Sequence, residues 1–337
     1  MLRNLSGADV KGALSIGPFV YVGAVSFEQR ATAWANHLAG LDVRPERAVI
    51  FDYDTEAEPL ADDKALRKQS ESGFRTALGK SDLSFLRGVN AFAINVLESA
   101  MIREVTESPA TTVLIDITCL TRVHLFAAAA AANRARRDGK TIIYCYAAAH
   151  GYGFSKNDLQ GWRDVLFVSV SKGASMDSNA RSYGIISAGH DGERLSVALQ
   201  ELEPPSGVMV YASNPDRPDF TSRALRANEV THTRLEALRS PRQNHGVKID
   251  DRWSFEHVQV ADFDGLSKCV SQQAGFAESA SGTVAIYPFG PKPMTLCIAE
   301  TLKVAEKVPA WMVYPIPERF SVTYSTGTGS LSAYLST

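Results

Sequence analysis

The chain has little that would stabilise or anchor it from outside its own core. Cysteine is scarce: 337 residues hold four, Cys119, Cys145, Cys269 and Cys297, with no C-x-x-C pair. That scarcity excludes a disulfide scaffold and fits a reducing compartment. Long apolar runs are missing as well. The most apolar stretch, LFAAAAAA at 125–132, lies between Arg122 and Arg134 and is far too short to span a bilayer. The opening segment MLRNLSGADVKG has no apolar signal core. The expected location is therefore cytoplasmic, with no membrane partner. Charge of one sign is not in excess, since the net charge is -2. Non-specific DNA binding driven by a basic surface is not expected. No His or Cys pair has metal-ligand spacing, and no G-x-x-x-x-G-K-[ST] loop occurs. No metal site and no resident cofactor are expected from those signals.

What is present is an ordinary globular composition. Hydrophobic residues make up 45% and charged residues 21%, which excludes a disordered chain. A length of 337 residues predicts two domains. Short β-rich apolar runs alternate with helical stretches. Strands are predicted at 19–25, 47–54, 111–118, 141–147 and 164–171. Helices are predicted from the first strand to about Leu41, and at 60–78, 85–106 and 122–137. Strands apolar on both faces, alternating with helices, imply a parallel sheet covered on each side. KGASMDSNARS, between Ser171 and Tyr183, reads as a linker. After it the pattern restarts. YVGAVSFEQR and YGIISAGHDGER share an order of elements that pairs Arg30 with Arg194, and VLIDITCLTRVHL pairs with VAIYPFGPKPMTL. The expected fold class is α/β, with two tandem Rossmann-like, doubly wound parallel-sheet halves at 1–175 and 176–337. A tandem duplication accounts for the repeat.

Ligands of open parallel sheets bind beyond the carboxyl ends of the strands. In the first half the loops there carry Ser26, Glu28 and Arg30; Asp52 and Asp54; Asp116, Thr118, Thr121 and Arg122; and His150. In the second they carry His190, Asp191 and Arg194; Ser213, Asn214 and Asp216; Tyr287, Gly290 and Lys292; and Arg319. The junction Phe289-Gly290-Pro291-Lys292-Pro293-Met294 is the most pointed of these. Glycine permits close backbone approach or a positive φ, and proline suits a first helical turn. The free N–H groups and dipole of that turn favour an anion, and Lys292 adds a full positive charge. The competing reading is a tight strand-to-helix turn with a solvated lysine.

The same residues carry a resemblance. G-P-K-P-M followed by a helix resembles the G-G-T-K-x-M motif of CRISPR-associated Rossmann fold (CARF) domains, with Gly290, Lys292 and Met294 matching. Phe289 and Pro291 stand where that motif has Gly and Thr. The resemblance implies a Rossmann-like nucleotide sensor of prokaryotic antiviral defence, working as a homodimer or with a protein partner. Related sensors often carry an R-x(4–6)-H ribonuclease motif. The pattern occurs here at Arg30, Arg226, Arg239 and Arg252, too often among seven histidines to mark a site.

Two enzyme signals remain. Asp52 and Asp54 in VIFDYDTE resemble the D-x-D opening of haloacid-dehalogenase-type phosphatases, which implies a Mg²⁺-dependent hydrolase or phosphotransferase with Asp116 in the same site. Carboxylates exposed at a strand end are the plainer reading. Cys119 stands before a helix, where a thiolate is stabilised, but Leu125 occupies the position an arginine would need in a C-x5-R loop. The reading adopted is a sensor or scaffold that binds a nucleotide or phosphorylated small molecule through Gly290, Lys292, Met294, Arg30, Arg122, Arg194 and Thr118. The alternatives are the hydrolase and a non-catalytic interaction subunit. GTGSL at 327–331 is expected to follow the last strand as a flexible edge or partner contact.

Overall fold

The structure, a computed structural model, describes residues 2–54, 61–152, 162–171, 181–214, 217–238, 253–305, 308–317 and 325–337. Most of the expected linker lies outside them, as do Asp216 and Arg319. The chain divides into two units, Leu2–Gly161 with Pro317–Thr337, and Trp162–Ile316.

The first unit runs β1 (Leu2–Leu5), α1 (Gly7–Ser15), β2 (Phe19–Ala24), a 3-10 turn (Gln29–Thr32), α2 (Ala33–Gly40), β3 (Arg47–Asp54), α3 (Ala61–Leu78), β4 (Asp82–Asn90), α4 (Ile94–Thr106), β5 (Thr112–Asp116), α5 (Arg122–Arg137) and β6 (Thr141–Tyr152). The second holds β7 (Trp162–Ser169), β8 (Ser182–Ala188), α6 (Gly192–Glu201), β9 (Ser206–Ser213), α7 (Asp219–Ala227), α8 (Glu229–Ala237), β10 (Trp253–Gln259), α9 (Phe263–Ser279), β11 (Thr283–Pro288), α10 (Lys292–Ala305) and β12 (Ala310–Pro317). The last strand, β13 (Ser325–Ser336), returns to the first unit.

The first sheet has the order β1-β13-β6-β5-β2-β3-β4 and the second β10-β9-β8-β11-β12-β7. Five strands of each are parallel: β6-β5-β2-β3-β4 in one and β10-β9-β8-β11-β12 in the other. Taken in chain order, both read 3-2-1-4-5. That is the Rossmann-like α/β arrangement expected. Its cause is visible in the innermost strands: all six residues of β2 and all six of β11 are buried, as a strand covered by helices on both faces requires.

Three expectations differ from the structure. Residues 82–90 form the edge strand β4 rather than the start of a helix at 85. Only its β3 side is paired, so the strand is half-exposed and lacks a two-faced apolar run; a bulge at Gly88 shifts its register against β3. The strand around 164–171 belongs to the second sheet, where Val170 N donates to Ala310 O at the start of β12. GTGSL lies inside β13, paired antiparallel with β6 on one side and, further on, with β1 on the other. Antiparallel pairing over a separation of almost 200 residues leaves no local signal.

Candidate functional site

In a 3-2-1-4-5 sheet the chain turns in opposite directions from strands one and four, and a crevice opens between their carboxyl ends. In the first unit it lies between the loops after β2 and β5, and in the second between those after β8 and β11.

The first crevice is floored by a buried polar network. Asp116, 2% exposed, ends β5. Its Oδ1 accepts from Thr118 N at 2.9 Å and its Oδ2 from the Tyr21 hydroxyl at 2.7 Å. Burial, and then the Asp116 carboxylate, hold the Tyr21 phenol well above its usual pKa, so it stays a donor. Thr118 is fully buried, and its hydroxyl accepts from Ala147 N at 2.9 Å. Thr121 caps α5 by accepting from His124 N. Cys119 is buried and its carbonyl accepts from Tyr53. Asp116 and Thr118 thus shape the loop, while Arg122, the first residue of α5, is partly buried at the crevice.

Asp52 and Asp54 stand apart from that network. Asp52 takes one guanidinium on each oxygen, Arg67 on Oδ1 and Arg87 on Oδ2 at 2.8 Å, and Arg87 also bonds Glu71. These arginines belong to α3 and β4, whereas Tyr21 and Thr118, which bond Asp116, belong to β2 and the β5 loop. Asp54 is exposed at the end of β3. Among the described residues no group of three or more His, Cys, Asp or Glu is placed to hold a metal ion.

In the second crevice Lys292 opens α10 and is partly buried. The carbonyl of Pro291 accepts from Met294 N at 3.0 Å and from Thr295 N, which starts the helix. Gly290 donates through its N–H to Ser187 Oγ at 3.3 Å. It does not take a positive φ. Its missing side chain is demanded from within: an added Cβ would stand 3.0 Å from Ser187 Cβ and 3.2 Å from Met294 Sδ. Met294 itself is fully buried in the core. Beside it, a Cβ on Gly189 would meet the Phe289 carbonyl oxygen at 2.0 Å, so the two loops touch backbone to backbone. Tyr287, also buried, donates to Leu202 O at 2.5 Å. The His190 ring lies tilted against Phe220, 4.3 Å between centroids, and its Nε2 lies 3.1 Å from the Phe220 carbonyl oxygen. Burial lowers its pKa below the ordinary 6.5.

Arg30 and Arg194 do the same thing in their two sheets. Each leaves the loop after the first strand and reaches the fifth. Arg30 lies 5.6 Å from the Tyr146 ring and donates to Ala147 O at 2.7 Å, while pairing with Glu28 at 2.6 Å. Arg194 lies 5.7 Å from the Tyr314 ring, with its Nη1 3.5 Å from the hydroxyl, while pairing with Asp191 at 3.2 Å. Tyr146 and Tyr314 were not among the candidates read from the sequence. Their equivalence lies in the sheet register, each standing two residues beyond the partner of Ile115 or Ile286, and in sequence each looks like any buried strand residue.

The helix N-termini differ in charge. α1, α6, α7, α8 and α9 each carry an acid in the first turn, namely Asp9, Glu193, Asp219, Glu229 and Asp264. α2, α4, α5 and α10 carry none, and of these α5 and α10 begin on a cation, Arg122 and Lys292. A cation there opposes the helix dipole by about 0.3–1 kcal/mol.

No family model matches the sequence, and no curated protein matches it. Among solved structures, a Type III CRISPR defence DNA nuclease activated by cyclic oligoadenylate is similar, with a TM-score of 0.48 and 10% identity over 87% of this chain and 65% of that one. The chain thus spans just under two thirds of that nuclease's length, and a likeness at this level carries no argument about activity. Among the described residues, no helix is long and apolar enough to cross a membrane.

Proposed function

We propose that the protein binds a phosphorylated small molecule or nucleotide at the carboxyl ends of its sheets, as a sensor or scaffold within prokaryotic antiviral defence. The observation that carries the binding half of this reading is the pair Arg122 and Lys292. Both are the first residue of the helix following the fourth strand, in a helix without a compensating acid. Helix formation alone disfavours a cation at that place, whereas an anion resting there is attracted by the side chain, the free N–H groups and the dipole together. The defence setting rests on the resemblance of Gly290, Lys292 and Met294 to the CARF motif. Homodimerisation, a protein partner, a cytoplasmic location and descent of the two sheets from one duplicated ancestor belong to the same proposal. The repeated arginine-over-tyrosine arrangement supports the last.

The test is calorimetric titration with pyrophosphate, ATP and cyclic oligoadenylates, with and without Mg²⁺, beside thermal melting. Saturable binding that raises the melting temperature without Mg²⁺ is the expected result; a ligand at a hundred times its Kd stabilises by about 2.7 kcal/mol. Binding that requires Mg²⁺ and ends in phosphate release would instead favour the hydrolase. No stabilisation by any of these ligands would leave the interaction subunit.

A further inference from the structure

We infer that Asn228, where α7 meets α8, is a positioning residue for the anion site of the second crevice. It holds the β8 loop at Gly189 and, through that loop, the β11 loop that presents Lys292. The inference rests on the anion-binding reading above. Asn228 is 1% exposed. Its Nδ2 donates to Gly189 O and to Ala224 O, both at 2.7 Å. Two carbonyl acceptors fix which way round the amide lies, because only its nitrogen can donate. The Gly189 bond reaches 39 residues back along the chain, to the loop that follows β8.

That bond is made against the local preference. Asn228 immediately precedes the first turn of α8, where an asparagine oxygen ordinarily accepts from an N–H two or three residues on. Here the side chain makes no such cap, and among the described residues its Oδ1 finds no donor. A buried acceptor without a donor destabilises a fold, and so does a forgone cap. The backbone of Asn228 already serves the junction by itself. Its N–H goes to Ala224 O at 3.1 Å, closing α7, and its carbonyl accepts from His232 N at 2.8 Å, opening α8. Neither bond needs an amide side chain. What the amide adds beyond α7 is the hold on Gly189. A local rule broken at a buried residue, with the gain made at a crevice loop, is the pattern expected of a residue that serves a site.

The hold passes on towards the lysine through backbone. A Cβ on Gly192 would stand 1.7 Å from Ala227 O, so the loop 189–192 rests on residues 227 and 228 at both its ends. The β8 end carries the β11 loop in turn. Phe289 N donates to Ser187 O at 3.0 Å, Gly290 N donates to Ser187 Oγ at 3.3 Å, and Gly189 lies against the Phe289 carbonyl. Lys292 follows Gly290 by two residues. The path from Asn228 to the lysine is thus a contiguous run of contacts, the physical requirement for one residue to act through another. Substituting Asn228 loosens that path without touching the lysine.

The experiment titrates pyrophosphate into the full-length protein, into Lys292→Ala, Asn228→Ala and Asn228→Ser, and into the double variant Asn228→Ala with Lys292→Ala, with a melting curve for each. Serine suits the start of α8 as a cap, but its hydroxyl is too short to replace the amide at Gly189. Both Asn228 variants are expected to fold and to lose about tenfold in affinity. The double variant is expected to bind no more weakly than Lys292→Ala, because the hold acts through the lysine's loop. A residue that merely stabilised the fold would not produce that coupling. Parental affinity in either Asn228 variant, with Lys292→Ala weakened, overturns the positioning role and leaves the anion site standing. Losses that add in the double variant overturn it as well, since Asn228 would then act elsewhere. Failure of both Asn228 variants to fold makes Asn228 a structural residue and likewise overturns it. Equal pyrophosphate affinity in the unsubstituted protein and Lys292→Ala overturns the anion site and the positioning role together.

Discussion

A cation at the start of a helix is a small cost carried at two matching places, and the sign of that cost can be measured. Lys292→Ala and Arg122→Ala should each leave stability within about 0.5 kcal/mol of the parent, or raise it slightly. The same substitutions should weaken anion binding by about tenfold or more, from the loss of a charge-assisted contact worth roughly 1.5–3 kcal/mol. Differential scanning fluorimetry beside calorimetry checks both. A large melting loss with unchanged affinity would make these side chains structural. His190 gives a second residue-scale test. Burial holds its pKa below 6.5, so the unfolded chain takes up the proton at a higher pH than the folded one. Its contribution is complete above the unfolded pKa and is lost as the pH falls through the folded value. Urea midpoints should therefore decline as the pH drops below about 6.5, and His190→Gln should flatten that decline.

Between elements, one tight joint is the crossing of the β8 and β11 loops. Gly189→Ala would place a methyl group 2.0 Å from the Phe289 carbonyl oxygen, where only backbone movement makes room. Overpacking of that kind costs about 1–3 kcal/mol. Because the loop it displaces leads to Gly290 and Lys292, anion affinity should fall with stability. Chemical denaturation and calorimetry on the same variant would show the two losses together; a variant with parental stability would mean the loops separate freely. The sequence made much of this element level readable. Strands buried on both faces, such as β2 and β11, announce themselves as continuous apolar runs, and helix α5, Arg122–Arg137, has the bounds expected for it at 122–137. The edge strand β4 was hidden because one side of it faces no neighbour, so its pattern is broken by Arg87 and Gly88. At the site, Arg30 and Arg194 were readable as a matched pair from their place after the first strand of each sheet. Their commitments to Glu28 and Asp191 were not, since a charged residue in a loop looks the same in sequence whether it is paired or awaiting a ligand.

At the scale of the whole chain, each sheet borrows a strand from beyond the obvious repeat. β7 precedes the second sheet's own first strand β8 and lies beside β12, while β13 follows the second unit and enters the first sheet between β6 and β1. Which sheet a lone edge strand joins is decided by tertiary pairing, and no residue near it says so. A fragment spanning Trp162–Pro317 keeps every strand of the second sheet. It should fold and retain pyrophosphate binding through Lys292. A fragment ending at residue 175 lacks β13, leaves β1 without its neighbour, and should be insoluble or unfolded. Circular dichroism and titration of the two fragments decide this, and a well-folded fragment 2–175 would refute it.

The entry of β13 into the first sheet also sets an order in time. On the ribosome, β1 to β6 emerge first, yet β1 has no strand to pair with until residues 325–336 have been made. The second sheet is complete once β12 appears. A chain synthesised from its N-terminus, at roughly 5–20 residues per second, thus holds its first-made sheet open while its second-made sheet closes. For that interval the outer edge of β6 is an unpaired strand, the kind of surface that recruits chaperones or a neighbouring nascent chain.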